Sequence, residues 1–117
     1  MEKYDLMERT TKFGLSVLIF AKQTQSVLIE KEIIQQLIKS GTSIGANYCE
    51  ADHAESKKDF IHKIGICRKE AKETKYWLIM AKVIFPQFKA EIDQLLLEAT
   101  ELNLIFSAIF LRTSRKL

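Results

Sequence analysis

The stretch SKKDFIHKIGICRKEAKETKYWLIMAKVI, residues 56–84, contains one unbroken helical pattern. Small or apolar residues recur in it at alternating intervals of four and three, which places them on one face of an α-helix. They are Phe60, Ile64, Cys67, Ala71, Thr74, Leu78 and Ala81. Ser56 followed by Asp59 is a capping signal, because a serine hydroxyl can accept the backbone N–H three residues later. Pro86 ends the pattern, since proline has no amide hydrogen and disfavours the helical conformation of the residue before it.

Three further segments repeat this pattern. The first runs from about Asp5 to Gln23, the second from about Ile29 to Glu55, and the fourth follows Pro86. Their stripes comprise Phe13, Val17, Phe20 and Ala21; Ile34, Leu37, Gly41, Ile44 and Tyr48; and Phe88, Ile92, Leu95, Ala99, Leu102, Phe106 and Ile109. Ser26 is a candidate N-cap for the second helix, and the tail from Arg112 is expected to fray. The pattern predicts an all-α fold, an antiparallel up-down-up-down four-helix bundle forming one domain over residues 1–117.

Two glycines lie inside the second helical pattern. Gly41 and Gly45 would each cost about 1 kcal/mol of helix propensity relative to alanine. The three- and four-residue spacing of the apolar positions nevertheless continues across both glycines without interruption. Ser40, Ser43 and Ala46 extend the same group of small residues. We therefore predict that two helices cross closely at this point.

The composition is that of an ordinary globular domain, with 47% hydrophobic and 28% charged residues. No secretory signal is recognisable at the N-terminus, and uninterrupted apolar runs reach at most six residues, far short of a membrane span. The two cysteines, Cys49 and Cys67, are expected to be reduced and packed as small apolar residues. These features predict a cytoplasmic protein without a membrane partner.

Motifs for catalysis are absent: there is no phosphate-binding glycine loop, no Gly-x-Ser-x-Gly and no Cys-x-x-Cys. The two histidines, His53 and His62, lie near the junction of the second and third segments. Cys49 and His53 could share a helical face, and Glu50 with His53 forms one copy of a Glu-x-x-His pair. A zinc site normally has four ligands, and a di-iron bundle needs two such pairs. We therefore expect no catalytic residue, metal or cofactor.

Charge is concentrated in the third helix. Net charge is only +3, but residues 57–84 carry eight basic and three acidic side chains. Lys58, His62, Lys69, Lys72 and Tyr76 share one face, and Arg68, Lys75 and Lys82 repeat every seven residues beside it. Such a face is either solvated surface or a contact for nucleic-acid phosphates. The second helix carries a polar stripe made of Gln36, Ser40, Ser43, Asn47 and Glu50. These residues either line a helix crossing or the surface, or they form a polar site opposite Glu70 and Glu73 of the third helix.

The third helix also has more apolar residues than one core stripe requires. Those outside the stripe are Ile66, Tyr76, Trp77, Met80 and Ile84, with Leu28 of the second segment and with Ile79 and Val83. They indicate either a broad core around Trp77 or a second buried face, of the kind that usually marks association. For the set as a whole we predict an interface between copies of the chain.

Three phrases of the sequence identify a family. The runs SGTSIGANYCEAD (residues 40–52), AESKKDFIHKIGI (54–66) and KEAKETKYWL (69–78) resemble, in register, the bacterial four helix bundle proteins, also called 23S rRNA-intervening sequence proteins. Cys49 and Cys67 stand where the family usually has other residues. Asn47, Glu50 and Glu73 match motif positions to which no function is attached.

The resemblance implies an antiparallel four-helix bundle, often assembled as a ring-shaped homopentamer, with no established enzyme activity. Such proteins are encoded in insertions within large-subunit ribosomal RNA genes or elsewhere in bacterial genomes. They are similar to the accessory variability determinant of diversity-generating retroelements, a basic pentameric bundle that binds nucleic acid and a reverse transcriptase.

Two hypotheses follow from the residues and the resemblance together. In the first, the chain is a non-enzymatic, oligomeric accessory protein that binds RNA or DNA. Its phosphate contacts would be Lys58, Arg68, Lys69, Lys72, Lys75, Arg112, Arg115 and Lys116. In the second, it is a structural or protein-interaction adaptor with an unidentified protein partner and no role in nucleic-acid binding. An enzyme or metalloprotein is a distant third hypothesis.

Overall fold

The computed structural model describes residues 3–24 and 28–115, and within them every regular element is helical. The helices are α1 (Lys3–Gln23), α2 (Leu28–Asp52), α3 (Lys57–Ile84) and α4 (Lys89–Ser114), and a short 3-10 helix, Pro86–Phe88, joins the last two. This confirms the predicted all-α class. Ser26, the predicted N-cap of α2, lies outside the described residues.

The register of contacts between helices shows that neighbours run antiparallel. From α1 to α2, Thr10 lies against Gly45 and Val17 against Gly41. From α2 to α3, the backbone oxygen of Ile44 accepts the Cys67 thiol at 3.5 Å, and Glu50 pairs with Lys63. From α3 to α4, Gly65 lies against Phe110 and Lys82 pairs with Asp93. Residue numbers rise on one helix as they fall on the next, as an up-down-up-down bundle requires.

The helix ends agree with the sequence in part. The Ser56 side chain caps α3 by accepting the N–H of Asp59 at 3.0 Å, as predicted. The second helix ends at Asp52, three residues before the predicted Glu55, in a turn closed by backbone bonds from His53 and Ala54. The predicted fraying does not begin at Arg112, because α4 continues to Ser114. The hydroxyls of Thr113 and Ser114 donate to backbone oxygens one turn earlier, at 2.7 and 2.6 Å.

The core consists of the predicted stripes with small changes at their ends. Nearly all of their residues are buried, from Phe13 in α1 to Phe106 in α4. Phe60, Phe88, Ile109 and Ala21 are only partly buried, and Ile61 is buried where Phe60 was expected. The ends of a bundle are open to solvent on one side, so the last residues of each stripe cannot be fully covered.

Close packing of α1 on α2 explains the two helical glycines. A Cβ atom at Gly41 would lie 3.0 Å from Val17 Cγ2, and one at Gly45 would lie 3.3 Å from both the backbone oxygen and the hydroxyl of Thr10. Neither glycine has positive φ, so the reason for glycine is space rather than backbone conformation. The predicted close crossing is confirmed.

The seam between α1 and α4 is different, since these two helices make the weakest contact among adjacent pairs. A groove of about 510 Å³ runs between them, with Phe13, Phe20 and Leu95 in its lining. Arg9 spans it and binds Glu98 through two nitrogens, at 3.0 and 2.6 Å. The bundle is therefore tight on three sides and open on the fourth.

Replacing Gly45 by leucine should destabilise the fold. The added side chain must displace the backbone of Thr10, and overpacking of this kind should lower the free energy of unfolding by about 2 kcal/mol. Ala46→Leu is the matched control, because Ala46 is the next residue of the same helix and is exposed. Thermal or urea unfolding followed by circular dichroism measures both, and equal stability of the two variants would contradict the close-approach explanation.

Candidate nucleic-acid interface

The α3 outer face is the row of α3 side chains that point away from the core. It consists of Lys58, His62, Lys69, Lys72, Tyr76, Ile79 and Val83, and all seven are exposed. Its N-terminal part is basic, whereas its C-terminal part is apolar, with Tyr76 54%, Ile79 49% and Val83 79% exposed. The face predicted from spacing therefore exists, but it is basic along only part of its length.

Glu70 and Glu73, two of the three acidic residues of α3, are half-buried and lie beside this face rather than on it. Burial is the main cause of the raised pKa of Glu70, and the charges of Lys69 on the same helix and of Lys39 on α2 act in the opposite direction. Glu73 accepts a hydrogen bond from the Trp77 indole at 3.1 Å. In the part of the chain that the structure describes, Lys69 and Lys72 form no ion pair within 4.0 Å. Their charges consequently remain available to a partner.

The second basic row of α3 faces α4 and is largely engaged there. The Arg68 guanidinium lies over the Phe110 ring, 4.1 Å from its centre, and the Arg68 backbone oxygen accepts a bond from Asn103 at 2.9 Å. Lys82 pairs with Asp93 at 2.6 Å, and this lysine together with Lys89 lowers the pKa of that carboxyl group. Lys75, which continues the row, is half-buried.

The basic residues of the C-terminal region lie at the same end of the bundle as Lys58. Arg112 and Arg115 are exposed, and Arg112 lines a cavity of about 680 Å³ together with Lys57 at the start of α3. Asp52 and Glu55 line the same cavity, so the local charge is mixed. Lys116, also predicted as a phosphate contact, lies outside the described residues.

The five residues predicted as an oligomer interface differ in exposure, since Tyr76 is exposed and the other four are half-buried. Trp77 and Ile84 pack against the core of their own chain, and Ile66 and Met80 are half-buried. Tyr76 belongs to the α3 outer face and sets its ring edge-on to Trp77 at 4.9 Å. The sixth apolar candidate, Leu28, begins α2, and its side chain lies outside the described part. The broad-core explanation therefore accounts for part of this set.

Sequence reasoning missed the exposed apolar residues of α1 and α4. Leu15, Leu18 and Ile19 are exposed on α1, and Leu97, Leu104 and Leu111 on α4. The span Pro86–Ser114 is long and apolar enough, by length and composition only, to cross a membrane, with a mean hydropathy of 1.4 in its most apolar window. One such span is weak evidence, because a core helix passes the same test. The seven-residue spacing of the α4 leucines was visible in the sequence.

Several of the other polar groups predicted as possible sites make hydrogen bonds within their own helix, and Glu50 pairs with Lys63 of α3. Ser43 donates to the backbone oxygen of Lys39 at 2.6 Å and Asn47 to that of Ser43 at 2.9 Å. His53 Nδ1 lies 3.0 Å from the backbone oxygen of Cys49. Within residues 3–24 and 28–115, no three His, Cys, Asp or Glu side chains are grouped so that they could hold a metal ion.

Taken together, the fold is that of an antiparallel four-helix bundle with a basic outer face on its third helix. The chain belongs to the 23S rRNA-intervening sequence protein family, whose model matches residues 2–108. Its fold is similar to the crystal structure of a protein with unknown function from the S23 ribosomal protein family of Bacteroides thetaiotaomicron VPI-5482. That chain is 30% identical with a TM-score of 0.80, and the match covers 90% of this chain and 97% of the other. No curated protein matches.

The two thiols should differ sharply in reactivity. Cys49 is exposed, whereas Cys67 is buried, and burial raises the pKa of the Cys67 thiol to about 12. Because the thiolate is the reactive form, a chromogenic disulfide reagent at neutral or mildly alkaline pH should titrate one thiol per native chain and two in denaturant. Cys49→Ser should abolish the native reaction. Rapid reaction of two thiols in the native protein would contradict the buried position of Cys67.

Proposed function

We propose that this protein is a non-enzymatic, cytoplasmic accessory protein that self-associates and binds nucleic-acid phosphates through the basic part of the α3 outer face. The observation that carries the proposal is the segregation of charge on α3. Lys58, Lys69 and Lys72 are exposed on one row, while Glu70 and Glu73 are half-buried beside it and Glu73 accepts a hydrogen bond from Trp77. A helix whose lysines were paired with its own glutamates would offer no such surface.

The geometry of the row suits a backbone rather than a base. Lys69 and Lys72 lie about one turn apart, and Lys58 precedes Lys69 by eleven residues, which is about 16 Å along the helix axis. Lysine ammonium groups are mobile point charges that neutralise phosphates without fixing a base sequence. Arg112 and Arg115 extend the positive charge at the Lys58 end, whereas Arg68 is held over Phe110 and can contribute less.

Self-association is part of the proposal because one chain carries little charge. A net charge of +3 attracts a polyanion weakly, whereas a ring of five copies, the assembly that the family resemblance implies, would carry five times three, or +15. An assembly of several copies would also present several α3 outer faces to one nucleic-acid molecule. Once the first face has bound, binding of the next is an intramolecular event, which raises the overall affinity.

A second candidate function is a protein-interaction adaptor without a nucleic-acid role. The apolar C-terminal part of the α3 outer face favours it, because Tyr76, Ile79 and Val83 are exposed. The aliphatic side chains of Ile79 and Val83 can neither neutralise a phosphate nor donate a hydrogen bond to it. An amphipathic helix of a partner protein with acidic residues at one end would match both parts of the face. This candidate predicts no affinity for nucleic acid alone.

Charge reversal on the α3 outer face tests the proposal. With duplex DNA or a ribosomal RNA fragment as the probe, wild-type affinity should fall steeply with salt, because binding releases counterions. Three phosphate contacts on DNA predict a loss of about 40-fold between ~50 and ~200 mM salt. Lys69→Glu/Lys72→Glu should weaken binding at least about tenfold and reduce the salt slope by about 2.

The matched control is Lys22→Glu/Lys31→Glu, which changes the net charge equally at exposed positions on α1 and α2. It should keep the wild-type salt slope, since it leaves the α3 outer face intact. Fluorescence anisotropy measures all three proteins. Absence of binding at low salt, or equal effects of the two double variants, would favour the adaptor.

A further inference from the structure

The apolar C-terminal part of the α3 outer face is a row of three side chains, which we call the α3 anchor row. Tyr76, Ile79 and Val83 are 54%, 49% and 79% exposed. They occupy positions i, i+3 and i+7 of one helix, the spacing with which an amphipathic helix inserts its apolar side into a groove. Seven residues of α-helix extend about 10 Å, so the row fits a groove of about that length.

The seam between α1 and α4 is a groove of this kind. Phe13, Phe20 and Leu95 are buried in its floor, and Ile19, which is 62% exposed, lies at its mouth. On α4 the lining runs from residue 91 to residue 98, which is again seven residues or about 10 Å of helix. The length of the groove therefore matches the length of the α3 anchor row.

The row and the groove lie at the same height along the bundle. The register of α3 on α4 follows from Lys82 beside Asp93 and from the Arg68 backbone beside Asn103. These pairs place residues 76–83 of α3 level with about residues 91–97 of α4, which is where the groove lies. A neighbouring copy can therefore meet the groove without a shift along the helix axis, and a head-to-tail contact without such a shift can close into a ring.

The directions of the two surfaces also suit a ring. In a four-helix bundle α3 lies diagonally opposite α1, so a row pointing straight out from α3 is about 135° from the α1–α4 seam. Ile79 is within about 60° of both Lys75 and Lys82 around the helix, and these lysines lie on the α4 side, so the row leans towards α4. An angle between about 90° and 135° closes rings of about four to eight copies, and a ring of five requires about 108°.

Charges on the inner side of such a contact are complementary. Helix α4 lies between the row and the groove on every copy, so it takes the inner side wherever two copies meet in a ring. The inner flank of the row carries Lys75. The inner rim of the groove carries Glu98 and Glu101, which share Arg9 at 2.6 and 3.9 Å. Two carboxylates and one guanidinium leave one negative charge for the lysine.

Charges on the outer side are complementary as well. Glu73 is two residues from Lys75 and hence about 160° from it around the helix, which places Glu73 on the outer flank of the row. Its hydrogen bond from the neutral Trp77 indole leaves the carboxylate charge unbalanced. The outer rim of the groove, on α1, carries Lys12, which is exposed and forms no ion pair within 4.0 Å among the residues that the structure describes. A glutamate therefore faces a lysine on this side.

We propose that the α3 anchor row of one copy inserts into the α1–α4 groove of the next copy, in a head-to-tail contact that closes into a ring. Each copy offers its row to one neighbour and its groove to the other. The inference rests on the self-association proposed above and specifies the two surfaces that make it. Lys58 and Lys69 precede the row and lie beyond the Arg9 end of the groove, so the contact leaves them open to phosphates.

Charged substitutions on either surface test the contact. Ile19→Glu changes the mouth of the groove, and Ile79→Glu/Val83→Glu changes the row, so each variant would bury carboxylates without partners. Light scattering without nucleic acid should show each variant at the mass of one chain, at least a twofold drop from the wild type. Because all three positions are exposed in the single chain, helicity and melting temperature should stay at wild-type values.

Mixing the two variants tests whether the contact is head-to-tail. The Ile19→Glu protein keeps an intact row, and the Ile79→Glu/Val83→Glu protein keeps an intact groove. One contact can therefore form between them, whereas the two surfaces left over are both altered and cannot extend the chain of contacts. The mixture at high micromolar concentration should show a twofold rise in mass, to two chains and no further.

Leu18→Glu is the matched control for Ile19→Glu. Leu18 is the preceding residue of α1, is 42% exposed and does not line the groove, so this variant should keep the wild-type mass. An equal loss of mass in both variants would contradict the assignment of the groove.

Three further results would overturn the inference. A monomeric wild type at micromolar concentration would remove this contact together with the proposed self-association, and would leave the row to a different protein. An oligomeric wild type whose mass survives Ile19→Glu or Ile79→Glu/Val83→Glu would remove this contact alone. A mixture of the two variants that stays at the mass of one chain would exclude a head-to-tail contact. Nucleic-acid affinity is measured separately, so its absence would count against phosphate binding and not against the ring contact.

Discussion

The contact of α1 with α2 at two glycines constrains the rest of the bundle. At Gly45 the helix surface lies so close to the backbone of Thr10 that a single methyl group would press on it at 3.3 Å, and at Gly41 the space is taken by Val17. This approach holds α1 against α2 along the small-residue patch, while its contact with α4 remains weak. The groove between α1 and α4, and the Arg9–Glu98 pair that crosses it, are consequences of this asymmetry.

The properties of α3 depend on what its two neighbours absorb. On the α2 side, the charge of Lys39 acts on Glu70, and Trp77 and Ile84 pack against the core. On the α4 side, Phe110 holds Arg68 and Asp93 holds Lys82. The lysines on the row between these flanks are left in water. Some basic side chains of α3 are therefore engaged within the chain, and the exposed basic surface is smaller than the number of basic residues in α3 suggests.

Much of this molecule was predictable from sequence because helical periodicity is a local property. The alternation of four and three identified four helices and nearly all core residues, the cap at Ser56 fixed the start of α3, and the unbroken rhythm through Gly41 and Gly45 predicted the close crossing. What periodicity cannot report is which neighbour each flank of a helix meets. The sequence grouped Tyr76 with Trp77 and Arg68 with Lys69, but adjacent residues on a helix point about 100° apart. Packing therefore covered Trp77 and Arg68 in part and left Tyr76 and Lys69 exposed. The helix ends at Asp52 and Ser114 are closed by local bonds that periodicity does not reveal. The charge of Lys39 beside Glu70 and the exposure of Leu104 depended on which segments distant in the chain pack together, and only the tertiary structure decided them.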